Sequence, residues 1–336
     1  YFTAEDQIYG NELWKSDGTE KGTILVKDIF PGTVSSNLAK NKNFINNRAS
    51  SSFGPCNSDP HNLCNVNGTL FFGAFDPIGG ETLWKSDGTE QGTIMIKYFG
   101  AGMIASFVTN LTNVNGTLFF SVNDGIHGNE LWKSDGTEKG TVLIKDIYKG
   151  DESSSISKVT QLNGILYFIA NDGIHGFELW KSDGTERGTL LIKDICQGKK
   201  NYIDYLMPSS NYLYFRTIDN KHRSMLWKTD GTLEGTTMIK DFVPEKKEGY
   251  ITNQIAIKNG VYFFTRNNFN FNLWRYNEDD NKFLLIKDIF PSKDRWSMGI
   301  NSLTNFKGDL IIRALNGNSK TFFWALKSPI IMNGGN

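Results

Sequence analysis

The stretch Glu130-Leu131-Trp132-Lys133-Ser134-Asp135-Gly136-Thr137, followed by Glu138-Lys139-Gly140-Thr141, decides the fold of this chain. Near-identical copies begin at Glu12, Thr82 and Glu178, and a more divergent copy begins at Leu226. Two further copies are recognisable mainly by their tryptophans. The tryptophans of this series are separated by 70, 48, 48, 47, 47 and 50 residues: Trp14, Trp84, Trp132, Trp180, Trp227, Trp274 and Trp324. A period this regular predicts a repeat architecture.

Each repeat is predicted to form four short antiparallel strands. In the third repeat these strands cover residues 107–112, 117–122, 129–133 and 141–147. They are rich in β-branched and aromatic residues and show no helical periodicity, which is typical of an all-β protein.

Two tight turns join the strands of a repeat. Asn115-Gly116 has the composition of a hairpin turn in which both central residues adopt positive φ. In Ser134-Asp135-Gly136-Thr137, the aspartate is expected to accept backbone N–H groups while the glycine takes positive φ.

The resulting fold prediction is a seven-bladed β-propeller of four-stranded antiparallel blades, about 48 residues per blade, in which residues 1–336 form a single domain. Apolar residues occupy both faces of a strand, as in Leu118 and Phe120 against Phe119. Neighbouring blades would cover both faces, and the seven tryptophans are predicted to lie in the blade cores. A β-solenoid is the alternative.

The sequence departs from the repeat in two places. The interval of 70 residues after Trp14 predicts a surface insert at about residues 32–57. Tyr1 corresponds to the second strand of a blade, which predicts a processed or truncated fragment of a longer chain. Residues 329–332 are the candidate fourth strand of the last blade or the inner strand of the first.

The charge balance and the distribution of apolar residues argue against nucleic-acid binding and membrane insertion. Lys plus Arg and Asp plus Glu both number 36, so the formal net charge is zero. Nucleic-acid binders carry a basic excess, so nucleic acid is not expected as a partner. The sequence contains no apolar run of about 18 residues, so membrane insertion is not expected either.

Cys56 and Cys64 enclose a short polar loop. In an oxidising compartment they are predicted to form a disulfide, and the alternative is two unpaired thiols. Cys-x7-Cys with the one nearby histidine, His61, lacks the paired spacing of zinc ligands, so no metal is expected there.

Three asparagines, Asn67, Asn110 and Asn115, fit the N-glycosylation pattern and predict a glycoprotein. Asn67 and Asn115 are also the turn residues of their hairpins. Turn chemistry is therefore an alternative explanation for these two.

The repeated Glu-Leu-Trp-Lys-Ser-Asp-Gly-Thr, with the following Gly-Thr-x-Leu-Ile-Lys-Asp-Ile, resembles the ELWxxDGT repeat family. The resemblance is strong over residues 1–242 and fades thereafter. It implies a propeller-like repeat module of large secreted or surface-anchored proteins, and it supplies no catalytic residues.

Two recurring groups were considered as chemistry-bearing residues. His127, His175 and His222 each lie five residues before a blade tryptophan and could share a metal ion. Since Tyr9, Gly79 and Phe269 take this position in other repeats, loop packing is the better interpretation. An aspartate recurs in the turn of five repeats and is interpreted as a turn cap: Asp17, Asp87, Asp135, Asp183 and Asp230.

No nucleophile elbow, phosphate-binding glycine loop or zinc-protease motif is present. The sequence therefore predicts no catalytic residue, no metal and no cofactor. The leading hypothesis is a non-enzymatic extracellular module, a structural or adhesive building block of a secreted or cell-surface assembly. Protein partners or self-assembly are expected, and glycan is an open alternative as a ligand. The alternative hypothesis is a propeller enzyme that binds or cleaves polysaccharide.

The ends of the blades differ in variability. The turns within repeats are tight and uniform, whereas the second-to-third-strand loops and the blade connections vary. Because loops carry most binding functions, the variable face is the predicted contact surface.

Overall fold

The computed structural model describes residues 1–33, 55–76, 80–99, 107–196, 202–219, 223–242, 250–258, 260–266, 271–288, 299–315 and 321–327. These residues form an all-β, propeller-like architecture of seven antiparallel sheets. In every sheet the strands are ordered as in the sequence, so each sheet is a meander.

The strands of the first four sheets are β1 (Phe2–Asp6), β2 (Gly10–Lys15) and β3 (Ile24–Lys27); β4 (His61–Val66), β5 (Thr69–Phe75), β6 (Glu81–Ser86) and β7 (Ile94–Tyr98); β8 (Thr109–Val114), β9 (Thr117–Asn123), β10 (Asn129–Ser134) and β11 (Val142–Lys145); β12 (Ser157–Leu162), β13 (Ile165–Asn171), β14 (Phe177–Ser182) and β15 (Leu190–Lys193). Those of the last three are β16 (Tyr202–Pro208), β17 (Leu213–Ile218), β18 (Ser224–Thr229) and β19 (Thr237–Phe242); β20 (Tyr250–Ala256), β21 (Gly260–Arg266), β22 (Phe271–Asn277) and β23 (Lys282–Asp288); β24 (Gly299–Phe306), β25 (Asp309–Leu315) and β26 (Thr321–Leu326).

Five sheets have the predicted four strands, and the first and last sheets depart from this number. The sequence indicated a missing leading strand in the first blade, because Tyr1 corresponds to a second strand. Over the described residues, the first sheet contains β1–β2–β3 and the last contains β24–β25–β26. In the first sheet Phe2 pairs with Trp14, as Phe120 pairs with Trp132, so β1 takes the place of a second strand. The candidate strand at residues 329–332 lies outside the described residues.

The chain divides into two compact units. The first contains Tyr1–Gly176 and Trp180–Leu190, and the second contains Phe177–Leu179 and Leu191–Asn336. In the first unit the leading strands β4, β8 and β12 lie side by side, and in the second unit β16, β20 and β24 do so. Sheets within a unit therefore pack face to face.

This packing explains why both faces of the strands are apolar. Phe71 and Leu83 of the second sheet share one buried cluster with Phe120 and Trp132 of the third. The Trp132 ring meets Phe99 edge to face, with 5.4 Å between centroids. Close packing of this kind is worth several kcal/mol per large side chain.

The series tryptophans are not equally buried. Trp84, Trp132 and Trp180 are buried, whereas Trp14, Trp227 and Trp274 are half-buried. Trp324, in the last sheet, is 37% exposed. The three buried tryptophans therefore lie in the second, third and fourth sheets.

The two turns of the repeat have the predicted geometry. Asn115 and Gly116 have φ values of 49° and 83°, as a two-residue hairpin turn requires. Asp135 Oδ1 accepts the Thr137 N–H at 2.8 Å and the Thr137 hydroxyl at 2.7 Å. The same contacts recur at the other four turn aspartates, which confirms their role as turn caps: Asp17, Asp87, Asp183 and Asp230.

The second glycine of the signature makes room for this cap. A Cβ atom on Gly140 would lie 2.1 Å from Asp135 Oδ1. The Gly140 N–H is also used, because it donates to Thr137 Oγ1 at 2.9 Å. Glycine is required here by the closeness of a carboxylate.

In each of the first three repeats, two lysines reach into the turn of the next sheet. Lys133 Nζ donates to the Gly184 carbonyl at 2.8 Å, and Lys145 Nζ donates to the Thr189 carbonyl at 3.0 Å. Equivalent bonds join Lys15 to Gly88 and Lys85 to Gly136. The signature therefore encodes a turn together with the lysines that hold the neighbouring turn.

The predicted disulfide is absent from the structure. No disulfide joins the cysteines of the described residues. The Cys56 N–H donates to the Gly32 carbonyl, which holds this residue against the first sheet, while Cys64 lies in β4 opposite Phe71. Most of the insert predicted at residues 32–57 lies outside the described residues.

Candidate functional site

The two ends of the sheets in the first unit differ in structure. Because consecutive strands are antiparallel, the hairpin turns and the Ser-Asp-Gly-Thr turns lie at one end, which we call the turn end. The loops between second and third strands, together with the sheet-to-sheet connections, lie at the other, which we call the loop end.

A short motif, Asp-x-Ile-x-Gly, recurs in the loops of the loop end. In the third sheet, Asp124 Oδ1 accepts the N–H groups of Ile126 at 2.9 Å and His127 at 2.8 Å. Asp172 makes the same bonds to Ile174 and His175. Asp6 likewise accepts the N–H groups of Ile8 and Tyr9.

The isoleucine stands at the tip of each of these loops. Ile8 is 73% exposed, Ile126 is 68% exposed and Ile174 is 83% exposed. An apolar side chain this exposed adds almost nothing to the core, and three at equivalent positions form a repeated surface feature. Sequence reasoning missed it, although recurrence of an isoleucine in an otherwise polar loop was the available signal. In the fourth copy, residues 76–80, the isoleucine lies outside the described residues.

The histidines of these loops pair with their own aspartates. His127 Nδ1 lies 2.8 Å from Asp124 Oδ2, and His175 Nδ1 lies 2.7 Å from Asp172 Oδ2. The bond from Asp124 raises the pKa of His127. Within the described residues no group of three or more His, Cys, Asp or Glu side chains is placed to hold a metal ion. His222 lies outside those residues.

The loop end of the first unit is acidic. It carries one basic residue, Lys149, and nine acidic ones among the described residues: Asp6, Asp28, Asp59, Asp76, Asp124, Asp146, Asp151, Glu152 and Asp172. Burial, and then the charge of Asp6, raise the pKa of Asp28. The undescribed insert contains Lys40, Lys42 and Arg48 and no acidic residue, and adding these three leaves an acidic excess.

The turn end is balanced in charge. Its turns carry eight acidic residues: Asp17, Glu20, Asp87, Glu90, Asp135, Glu138, Asp183 and Glu186. They also carry Lys21, Lys139 and Arg187, and six further lysines reach into them from the strands: Lys15, Lys27, Lys85, Lys97, Lys133 and Lys145. The described part of the first unit is thus polarised between its two ends.

Buried glutamates hold the connections that form the loop end. Glu130 is fully buried and accepts the N–H groups of Ile147 at 3.0 Å and Ser154 at 3.0 Å. Burial raises the pKa of Glu130 to about 7. Glu12 and Glu178, at the same repeat position, make equivalent bonds and also have a pKa raised to about 7 by burial.

In the second sheet Thr82 replaces this glutamate, and another residue accepts the N–H group of the connection. The preceding residue, Glu81, is buried, and its Oε1 accepts the Val108 N–H at 2.9 Å. The same oxygen lies 2.9 Å from His61 Nε2. A Cβ atom on Gly73 would lie 2.7 Å from both atoms, so glycine leaves the space for this pair.

The three asparagines that fit the N-glycosylation pattern lie where neighbouring sheets meet. Asn67 and Asn115 lie in hairpin turns at the turn end, and a Cβ atom on Gly116 would lie 2.5 Å from Asn67 Nδ2. Asn110 is half-buried, and its Nδ2 donates to the Ile156 carbonyl at 3.0 Å. Asn67 and Asn115 therefore lie away from the acidic loops, whereas Asn110 contacts the connection that carries Asp151 and Glu152.

Comparisons with known proteins give structural matches alone. No protein-family model matches the chain, so its resemblance to the ELWxxDGT repeat family stays a prediction. No curated protein matches it either. None of the described residues forms a helix long and apolar enough to cross a membrane.

Two of the solved structures similar to this chain are peptidases. One comes from a structural and mechanistic study of two prolyl endopeptidases: TM-score 0.42, 12% identity, 74% of this chain and 38% of that one. The other is oligopeptidase B from Leishmania major: TM-score 0.43, 10% identity, 78% of this chain and 39% of that one. The matches thus span about two fifths of each peptidase.

These matches correct the functional hypothesis drawn from the sequence. The expectation of a structural or adhesive building block is contradicted, because the similar structures are those of peptidases. The expected extracellular location and the expected lack of enzyme activity stay predictions.

Proposed function

We propose that the loop end of the first unit recognises a polypeptide segment that is rich in lysine or arginine and also carries apolar side chains. The observation that carries this proposal is the set of exposed isoleucines, Ile8, Ile126 and Ile174, on a surface with nine acidic residues and one basic residue.

Apolar contact supplies the affinity in this proposal. Covering an exposed isoleucine contributes about 1.5 to 3 kcal/mol before the cost of association is subtracted. Each loop is already fixed by its own aspartate, as in the bonds from Asp124 to Ile126 and His127. Little loop entropy is therefore lost on binding.

Charge supplies the selectivity. A surface of one sign attracts an oppositely charged partner over about a Debye length and repels partners of the same sign. The acidic loop end therefore favours cationic polypeptides over nucleic acids and anionic membranes. A weaker interaction at high salt is a direct consequence.

Binding of synthetic peptides tests the proposal. The probe is a twelve-residue peptide of alternating lysine and leucine, with lysine–serine and glutamate–leucine peptides for comparison. We expect the lysine–leucine peptide to bind best in titration calorimetry at low salt. The double variant Ile126→Ser, Ile174→Ser should weaken its binding about tenfold, since 1.4 kcal/mol corresponds to a factor of ten.

The matched control removes two apolar side chains from elsewhere in the same unit. Val142 and Leu190 are 38% and 45% exposed in strands that follow the Ser-Asp-Gly-Thr turns. The variant Val142→Ser, Leu190→Ser should bind the probe as the wild type does. Equal binding of the glutamate–leucine peptide, or an equal loss in both double variants, would refute the proposal.

We also propose that the seven sheets are the blades of one seven-bladed β-propeller. The regular tryptophan spacing and the side-by-side leading strands within each unit support it. A single compact domain of this length should have a radius of gyration of about 20 Å in small-angle X-ray scattering. A clearly larger radius would argue for two separated bodies.

A further inference from the structure

We infer that His61 and Glu81 hold one shared proton at neutral pH, and that this proton helps to tie the second sheet to the third. The two side chains lie in β4 and β6, at a position where no other described sheet combines a histidine with a carboxylate.

The proton follows from the contacts of the imidazole ring. His61 Nδ1 lies 2.8 Å from the Asp59 carbonyl oxygen, which can only accept, so Nδ1 carries a hydrogen. Nε2 lies 2.9 Å from Glu81 Oε1. In a neutral ring Nε2 would carry no hydrogen, and its lone pair would point at the negatively charged oxygen of Glu81. A proton on Nε2 or on Glu81 removes that repulsion, so the pair titrates as a unit.

The surroundings keep the pair in place. The His61 ring lies between Phe107, at 5.5 Å, and Phe75, at 6.2 Å. Glu81 reaches the third sheet through the Val108 N–H, and Phe107 leads into the same sheet. Loss of the proton would therefore strain a contact between two sheets.

The neighbouring elements supply few other charges. Among the described residues, the elements that flank the pair carry the titratable side chains Asp59 before β4, Asp76 at the end of β5 and Tyr98 in β7, where burial and the charge of Asp76 raise the tyrosine pKa. Residues 77–79 and 100–108 contain no titratable side chain. The nearby carboxylates favour the protonated form of the pair.

Equivalent cross-strand positions in other sheets carry different chemistry. His61 pairs in register with Gly73, Thr109 with Ser121, and Asp204 with Arg216. Thr109 and Ser121 are joined by a neutral hydroxyl bond of 2.9 Å, and Asp204 and Arg216 form an ion pair of 2.6 Å. In this position the second sheet alone of these three holds a group that titrates near neutrality.

The direction of the pH effect can be stated. The unfolded chain releases the histidine proton near pH 6.5, whereas the folded pair retains it. The resulting stability is complete below about pH 6.5 and is lost as pH rises through the apparent pKa of the folded pair. Between these values the folding equilibrium constant should fall up to tenfold per pH unit.

The test compares the pH dependence of unfolding in the wild type and in the double variant His61→Gln, Glu81→Gln, which keeps hydrogen-bonding groups but has no proton to release. Between pH 6.5 and 8.5 we expect the wild type to lose stability relative to the double variant. The control is Glu138→Gln, which removes an exposed side chain of the third sheet and should keep the wild-type slope between pH 6.5 and 8.5.

Nuclear magnetic resonance of the histidine ring protons gives an independent readout. The signal that disappears in His61→Gln should report a titration above pH 6.5, and Glu81→Gln should lower its midpoint. Parallel unfolding curves for wild type and double variant, or a His61 midpoint at or below 6.5 that Glu81→Gln leaves unchanged, would overturn the inference.

Discussion

The turn end and the loop end of the first unit are built from the same repeat but use it for different purposes. At the turn end the aspartate, the threonines and the lysine of the signature bond within the protein, as when Lys133 holds the Gly184 carbonyl. At the loop end the same period presents Ile126 and Ile174 to solvent. Repetition alone therefore does not distinguish a structural residue from a recognition residue.

A structural residue and a recognition residue differ in what their hydrogen bonds hold in place. Asp135 and Gly140 fit one another and leave nothing to bind a ligand. The loop aspartates are also satisfied, but their bonds fix an apolar side chain outside the core. Substitutions at the turn end and in the sheets should therefore cost stability, and substitutions at loop tips should cost binding alone.

The largest effect is expected for a buried signature tryptophan. Trp132→Ala should destabilise the protein by about 3 to 5 kcal/mol, because the ring is 6% exposed and packs against the neighbouring sheet. Chemical denaturation monitored by circular dichroism measures the loss. Trp324→Ala is the comparison, and since that ring is 37% exposed, its loss should be clearly smaller. Equal losses would show that the signature tryptophans are not distinguished by burial.

A somewhat smaller effect is expected for the turn glycine. Gly140→Ala places a methyl group against the Asp135 carboxylate and should cost about 1 to 3 kcal/mol. The clash is with a side chain, so the same substitution in an Asp135→Ala background should cost much less. Strict additivity in this double-mutant cycle would contradict the assigned contact.

The parts of the structure with a local sequence code were predictable. Asn115-Gly116 specifies its hairpin by backbone preference, and Asp135 specifies its turn by hydrogen bonding to the next residues. The tryptophan period gave the number of sheets for the same reason.

The tertiary contacts were not predictable from that local code. The pairing of Glu130 with Ser154 spans 24 residues, and the contact of Lys133 with Gly184 spans 51. The approach of His61 to Glu81 depends on the empty space at Gly73, which has no sequence signal of its own. The face that carries the candidate surface was predicted from its variable loops, but the recurrence of an exposed isoleucine on that face was missed.

A pH-dependent effect distinguishes the buried glutamates from the exposed turn carboxylates. The pKa of Glu130 is raised to about 7, above its ordinary value of 4.5, so its contribution to stability is complete below pH 4.5 and is lost as pH rises through 7. Glu130→Gln should therefore flatten the fall in stability across this range, by up to about 1.4 kcal/mol per pH unit.

The slope is the measurement in this experiment, because Glu130→Gln also disturbs the bonds to Ile147 and Ser154 at every pH. Urea unfolding at half-unit steps between pH 4.5 and 7.5 gives the slope. Glu138→Gln removes an exposed carboxylate of the same sheet and serves as the control. A slope equal to that of the wild type in Glu130→Gln would contradict the assigned role of burial.

The smallest effect on the free energy of unfolding is expected at the loop tips. This prediction is the sharpest test of the difference between the turn end and the loop end. Ile126→Ser and Ile174→Ser remove side chains that are 68% and 83% exposed, so neither should change the free energy of unfolding by more than about 0.5 kcal/mol. Thermal and urea unfolding of the double variant measure this. A loss above about 1.5 kcal/mol would mean that these side chains are covered within the protein itself. Unchanged stability together with weakened peptide binding would separate recognition from folding at the level of single side chains.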